Sequence, residues 1–266
     1  MHVDIWNISC NTFCIVNIFC DKHLFYFICS LVILYYSNIK NKYLLPSLII
    51  LGVFIILSIS IYYSVIQEIK FTNSSNGNNI LINIDKSMLQ FSHYFHVPSL
   101  NQFMKFITEY GREYFWIIVI FMLFLFGGHD GKITTIIIII SFLIIIPVNI
   151  IIKDLVNRDR PVPSYDSFYT EPKSDKSYPS GHASIVSAGA ASAYLFFRNS
   201  WKQKLITYFL IVEAGLVCFS RLYLGVHYPF DIIGGILLGS GLSIFVASYA
   251  NIYERLLSKI KIKNKN

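Results

Sequence analysis

ITTIIIIISFLIIIPVNIII, residues 133–152, is a run of 20 residues without a single charge. A helix of about 20 apolar residues is what crosses a hydrocarbon core of about 30 Å. Shorter or more mixed apolar runs flank it: Leu45–Ile66 and Tyr114–Phe126 upstream, Ala183–Phe197, Leu205–Ser220 and Pro229–Tyr249 downstream. Backbone groups in lipid must bond within their own segment, and no stretch shows the ten-residue alternation of a membrane barrel. The expectation is an all-α, polytopic membrane helical bundle of six core transmembrane helices, with Leu24–Tyr36 as an extra N-terminal hydrophobic segment.

Composition agrees. Of the 266 residues 55% are hydrophobic and only 14% charged, with a mean hydropathy of +0.55; a soluble domain of this length cannot hide so much apolar surface. The net charge of +7 is spread over loops and tail. No basic patch interleaved with aromatics points to nucleic acid, and the expected partners are the lipid bilayer and anionic lipid headgroups. Cys10, Cys14, Cys20, Cys29 and Cys218 form no C-x-x-C pair and no zinc spacing, and read as unpaired thiols. Three parts are expected: residues 1–40, an N-terminal hydrophobic extension; 41–252, the six-helix membrane domain; and 253–266, a basic cytoplasmic tail. Ile84–Ile107 mixes apolar residues with Asp85, Lys86, His93, His96 and Lys105, as an amphipathic helix lying on the membrane does. Ala188-Gly189-Ala190-Ala191 and Gly235-x-x-x-Gly239 suit close helix–helix approach.

Three polar blocks stand in the second half: Lys153-x6-Arg160-Pro161, Pro179-Ser180-Gly181-His182, and Ser220-Arg221-x5-His227-x3-Asp231. His227 and Asp231 are spaced to lie one turn apart on a helix face, which makes His227 the candidate nucleophile and Asp231 the acceptor for its other nitrogen. A lone pair of this kind is more often a helix-start cap; the neighbouring blocks tip the balance. Lys153, Arg160 and Arg221 suit phosphate, Arg by bidentate contact and Lys as a point charge, although any one of them alone reads as a snorkelling cation. Arg158 lies inside the first block's spacer and is not needed by the pattern. Ser180 is a good N-cap, Gly181 lets an oxyanion approach the free N–H groups of a helix start, and His182 is placed as general acid. Glu213, in mid-membrane, is balanced between a function and a hydrogen-bonded packing role. His2, His23, His93, His96 and His129 are scattered and carry no assignment.

These eleven positions resemble the three-part signature of the type 2 phosphatidic acid phosphatase superfamily. The resemblance implies an enzyme, a membrane phosphatase with a phosphohistidine on His227 held by Asp231. It further implies phosphate binding by Lys153, Arg160, Ser180, Gly181 and Arg221, His182 as acid, and no metal or other cofactor. By analogy it favours a lipid-linked substrate, a polyprenyl diphosphate before phosphatidate or phosphatidylglycerophosphate. A lipid phosphotransferase and a non-enzymatic lipid-binding or transport protein are the rival classes. The oligomeric state is left open.

With helices alternating in direction, all three blocks meet on one membrane face. The opposite face holds Lys40, Lys42, Lys132, Arg198, Lys202, Lys204 and the lysine-rich tail, so it is cytoplasmic by the positive-inside rule and the blocks look outward. The 162–178 loop on that outer face carries Tyr165, Phe168 and Tyr169, residues that favour the interface, and is expected to lie over the site. In a background lacking the native cysteines, Ser174→Cys is expected to react with an impermeant thiol reagent on intact cells and Ser258→Cys to resist it. Labelling at Ser258 alone would reverse the orientation.

Overall fold

With no water to satisfy stray backbone groups, a chain in lipid is driven to helix, and every regular element among the described residues is one. The computed structural model describes residues 42–70, 80–93, 97–161 and 175–253. Leu24–Tyr36, the loop aromatics Tyr165, Phe168 and Tyr169, and the basic tail lie outside them. The helices are α1 (Leu44–Lys70), α2 (Ile80–His93), α3 (Pro98–Gly111), α4 (Tyr114–Phe126), α5 (Gly128–Val156), α6 (Gly181–Phe196), α7 (Trp201–Tyr223) and α8 (Pro229–Ala247).

Four of the six expected spans, in α1, α5, α7 and α8, are long and apolar enough to cross a membrane. The other two form helices of 13 residues (α4) and 16 residues (α6), about 20 and 24 Å at 1.5 Å per residue, short of a full hydrocarbon core. The single amphipathic helix expected over Ile84–Ile107 is two helices. Pro98 opens α3 in its first turn, and Val97 before it is extended, as a residue preceding proline prefers.

The bundle is built around α6, which packs chiefly against α8 and also against α5 and α7; α8 packs against α1 on its other side. Small side chains make this approach close. A methyl on Gly239 of α8 would sit 2.0 Å from the Ser184 carbonyl oxygen of α6, and one on Gly189 would sit 2.2 Å from the Trp116 ring. Ser192 and Ser243 share a hydrogen bond of 2.7 Å across the same contact. Large apolar side chains instead face outward, among them Ile55 and Ile56 of α1, Ile117 and Phe121 of α4, and Leu143 of α5. Lipid rather than protein covers such residues in a membrane bundle, where packing and hydrogen bonds drive helix association. At the end away from the three blocks, Asp130 accepts from Asn199 at 2.8 Å and from Gln203 at 3.2 Å, tying the starts of α5 and α7.

The closeness of α6 and α8 makes Gly239→Ala informative, because the obstacle is backbone. Overpacking of this kind costs about 1–3 kcal/mol. The melting temperature of the detergent-solubilised variant is expected to fall clearly below wild type, while the adjacent Ser240→Ala stays near it. Equal melting of all three would contradict the contact.

Candidate active site

Three chain reversals bring the blocks to one end of the bundle. Asn157 ends α5 in the left-handed conformation (φ 51°), one that asparagine tolerates better than most residues, and the chain turns back through Arg158 and Arg160. Ser180 caps α6, accepting from the Ala183 N–H at 3.5 Å, while its own N–H donates to the Asp231 carbonyl at 2.9 Å. Between α7 and α8, Gly225 takes φ 67°, a value open to glycine. Asp231, in the first turn of α8, accepts from the Tyr228 N–H at 2.8 Å.

The Asp231 carboxylate is fully buried. One oxygen accepts from Arg158 Nη1 at 2.7 Å; the other accepts from the Ser177 hydroxyl and lies 3.6 Å from His227 Nδ1, too far for a direct hydrogen bond. Ser177 Oγ is 3.3 Å from the same Nδ1. Since the only hydroxyl proton goes to the carboxylate, Ser177 accepts from His227, so Nδ1 carries a proton. On the other side of the ring, Arg160 Nη1 faces Nε2 at 3.2 Å. Guanidinium can only donate, so Nε2 holds a lone pair. Burial, with Arg221 and Arg160 adding to it, outweighs Asp231 and pushes His227 down to about 4.

The phosphate-binding candidates surround this ring. Lys153 Nζ and Arg160 Nη2 both bond the Asp175 carboxylate, at 2.6 and 2.5 Å. Burial works against the charge on Asp175, yet the two cations hold it below the ordinary carboxylate range. One anion thus already bridges the pair expected to clasp phosphate. Arg221, wholly buried at the end of α7, donates to Thr108 Oγ1 of α3 at 2.8 Å. Gly181 opens α6 with nothing within 4 Å of where a Cβ would stand, so its helix start has room beside it. His182 receives Arg112 Nη1 on Nδ1 at 3.3 Å. Burial, and then Arg221 and Arg112, push this histidine well down. Glu213 is buried in α7, two turns before Arg221, and neither of its oxygens has a hydrogen-bond partner.

All eight sequence-expected residues therefore gather at this end, and five that pattern alone did not supply join them. Ser177 sits between His227 and Asp231. Asp85, on α2, accepts Arg158 Nη2 at 2.6 Å and the Phe230 N–H at 3.0 Å, so it caps α8 from another element and shares Arg158 with Asp231. Thr108 and Arg112 come from α3 and its end. Arg158, dispensable to the pattern, is buried and stacks 4.1 Å over the Tyr228 ring. Among the described residues no three His, Cys, Asp or Glu side chains are grouped as a cation would need.

Residues 132–254 match the family model of the PAP2 superfamily. An undecaprenyl-diphosphatase of Sulfolobus acidocaldarius is 41% identical over 167 residues, spanning 62% of this chain and 77% of that protein. Phosphatidylglycerophosphatase B of Bacillus subtilis is 30% identical over 172 residues, spanning 61% and 81%. The crystal structure of a transmembrane PAP2 type phosphatidylglycerolphosphate phosphatase from Bacillus subtilis aligns with a TM-score of 0.59 at 25% identity, covering 77% of this chain and 96% of that one.

Arg158 separates two buried carboxylates, and removing the shared cation from such a pair costs about 3–5 kcal/mol. Arg158→Met is expected to lower the melting temperature sharply. Adding Asp85→Asn should recover part of the loss by removing one stranded charge. Destabilisation that simply adds in the double variant would contradict the shared-cation geometry.

Proposed function

The chain belongs to the PAP2 superfamily, and from that premise we propose that it removes the terminal phosphate of a polyprenyl diphosphate at the outer leaflet, through a phosphohistidine on His227. It is a multi-pass membrane enzyme, a phosphatase of lipid-linked phosphates or diphosphates. The observation that carries the finer reading is His227 itself: its Nδ1 is tied through Ser177 to Asp231, and its Nε2 lone pair faces the cation Arg160.

Substrate phosphate replaces the Asp175 carboxylate between Lys153 and Arg160, with Arg221 and the start of α6 completing the cradle. Drawing Arg160 onto a phosphate oxygen uncovers Nε2. That nitrogen attacks the terminal phosphorus; an N–P bond forms, the P–O bond to the leaving group breaks, and its electron pair stays on the departing oxygen, which takes a proton from His182. Ser177 and Asp231 stabilise the charge that His227 gains. Water then attacks phosphorus, gives a proton to His182 and breaks the N–P bond, releasing inorganic phosphate. The cations Lys153, Arg160 and Arg221 meet the phosphate charge, so turnover is expected to continue in chelator. A site at helix ends near the interface meets headgroups while prenyl tails stay in lipid, so a lipid substrate gains by positioning.

The test is phosphate release by the purified protein from a panel containing undecaprenyl diphosphate, phosphatidylglycerophosphate, phosphatidate and a soluble ester, with and without EDTA. The prenyl diphosphate is expected to give the highest kcat/KM, and His227→Ala to lower turnover by roughly a thousandfold or more. The nucleophile must be neutral, and burial lowers its pKa, so the acid-side fall of kcat/KM assigned to His227 is expected near pH 4 rather than near the unperturbed value of about 6.5. Near-normal turnover by His227→Ala would sink the mechanism.

A further inference from the structure

Arg112 stands outside the three blocks. It follows α3 directly, it is partly buried with 32% of its side chain exposed, and its Nη1 lies 3.3 Å from Nδ1 of His182. Its other terminal nitrogen pairs with Glu113, which is mostly exposed. A guanidinium only donates, so in this arrangement Nδ1 of His182 accepts and the ring is neutral. A neutral imidazole is no general acid; the proton-giving form is the imidazolium, whose Nδ1–H cannot receive Arg112. Arg112 must therefore leave Nδ1 before His182 can protonate the departing oxygen.

The two substrate classes differ at just this point. From a lipid monophosphate the leaving group is an alcohol, uncharged once protonated. From a lipid diphosphate it is a lipid monophosphate, whose negative charge lies on the side of the general acid. Lys153 and Arg160 are placed beside the nucleophile His227, through Asp175 and Nε2; of the charged groups that bear on His182, which are Arg221, Arg112, His227 and Arg160, Arg112 is the one in hydrogen-bond contact with its Nδ1. We propose that Arg112 is the subsite for the leaving phosphate of a lipid diphosphate, and that binding this phosphate draws Arg112 off His182 and frees the histidine to become the acid. The inference rests on the lipid phosphatase reading above and adds the residue that selects diphosphate over monophosphate.

The step balances. The incoming diphosphate carries an ionisable proton, which passes to Nδ1 of His182 once Arg112 bonds the leaving phosphate. His227 Nε2 forms its bond to the terminal phosphorus as the bridging P–O bond breaks. The electron pair goes to the bridging oxygen, His182 returns a proton to it, and lipid monophosphate leaves. A monophosphate lacks the second anion, so Arg112 stays on Nδ1 for more of the time and the acid is less often formed.

The experiment uses the full-length protein in detergent with a matched pair that shares one tail, farnesyl diphosphate and farnesyl monophosphate. The wild-type ratio of kcat/KM is expected to favour the diphosphate. In Arg112→Gln that ratio should fall by roughly 10- to 100-fold, the scale of one charge-assisted hydrogen bond; Arg112→Lys, which keeps a point charge, should fall between. Burial and Arg221 hold His182 down in every variant, and Arg112 adds to them, so losing Arg112 should move the alkaline limb of the monophosphate pH profile part of the way to higher pH. A purely structural defect would lower both substrates together and leave the limb in place. An unchanged ratio in both variants would overturn the assignment of Arg112 while leaving the phosphatase intact, whereas wild-type protein inactive on both prenyl substrates would overturn the lipid phosphatase reading itself.

Discussion

The structure turns on where the buried carboxylate of Asp231 finds its hydrogen bonds. A carboxylate with no exposure is costly unless several donors meet it. Here the donors come from every side: Arg158 from the first block, Ser177 from just before the second, and the Tyr228 N–H from its own turn. The Asp231 carbonyl in turn accepts the N–H of Ser180. One residue thus joins the ends of α5, the start of α6 and the start of α8. The same bonds that make its burial affordable also aim His227. Losing the carboxylate is therefore a matter of both assembly and chemistry.

Behind this polar end the bundle is held by closeness. Apolar side chains gain little from leaving lipid for one another, so contact depends on small residues and shared hydroxyls. Gly239 against Ser184 and Gly189 against Trp116 set the spacing of α6, and that spacing fixes where Ser180, Gly181 and His182 present the helix start. The shortness of α6 follows the same logic. It is enclosed by α5, α7 and α8, and serves as a post for its N-terminus more than as a barrier to water. The outer helices supply the apolar surface that lipid covers.

The helical membrane class was legible because a long uncharged run has few other homes, and the three blocks were legible because their spacing is local. Span length was less so. Apolar composition marked Tyr114–Phe126 and Ala183–Phe197 but did not reveal how short their helices are. The break at Val97-Pro98 was written in the sequence, in a proline that suits a helix start, and the amphipathic pattern masked it. Asp85 was out of reach for a physical reason: it meets Arg158 and Phe230 across 73 and 145 residues of chain, and no periodicity encodes such a meeting. Ser177 and Thr108 are small hydroxyls whose importance lies wholly in what faces them. Arg112 resembles any interfacial arginine until His182 is seen beside it.

The central claim is that His227 takes the phosphoryl group covalently. The direct measurement is a rapid alkaline quench of the purified protein with prenyl diphosphate labelled in its terminal phosphate, followed by peptide mapping. An alkali-stable, acid-labile label is expected on the peptide bearing His227, formed within one turnover and lost on further incubation. Turnover without any labelled peptide, or a label on another residue, would contradict it.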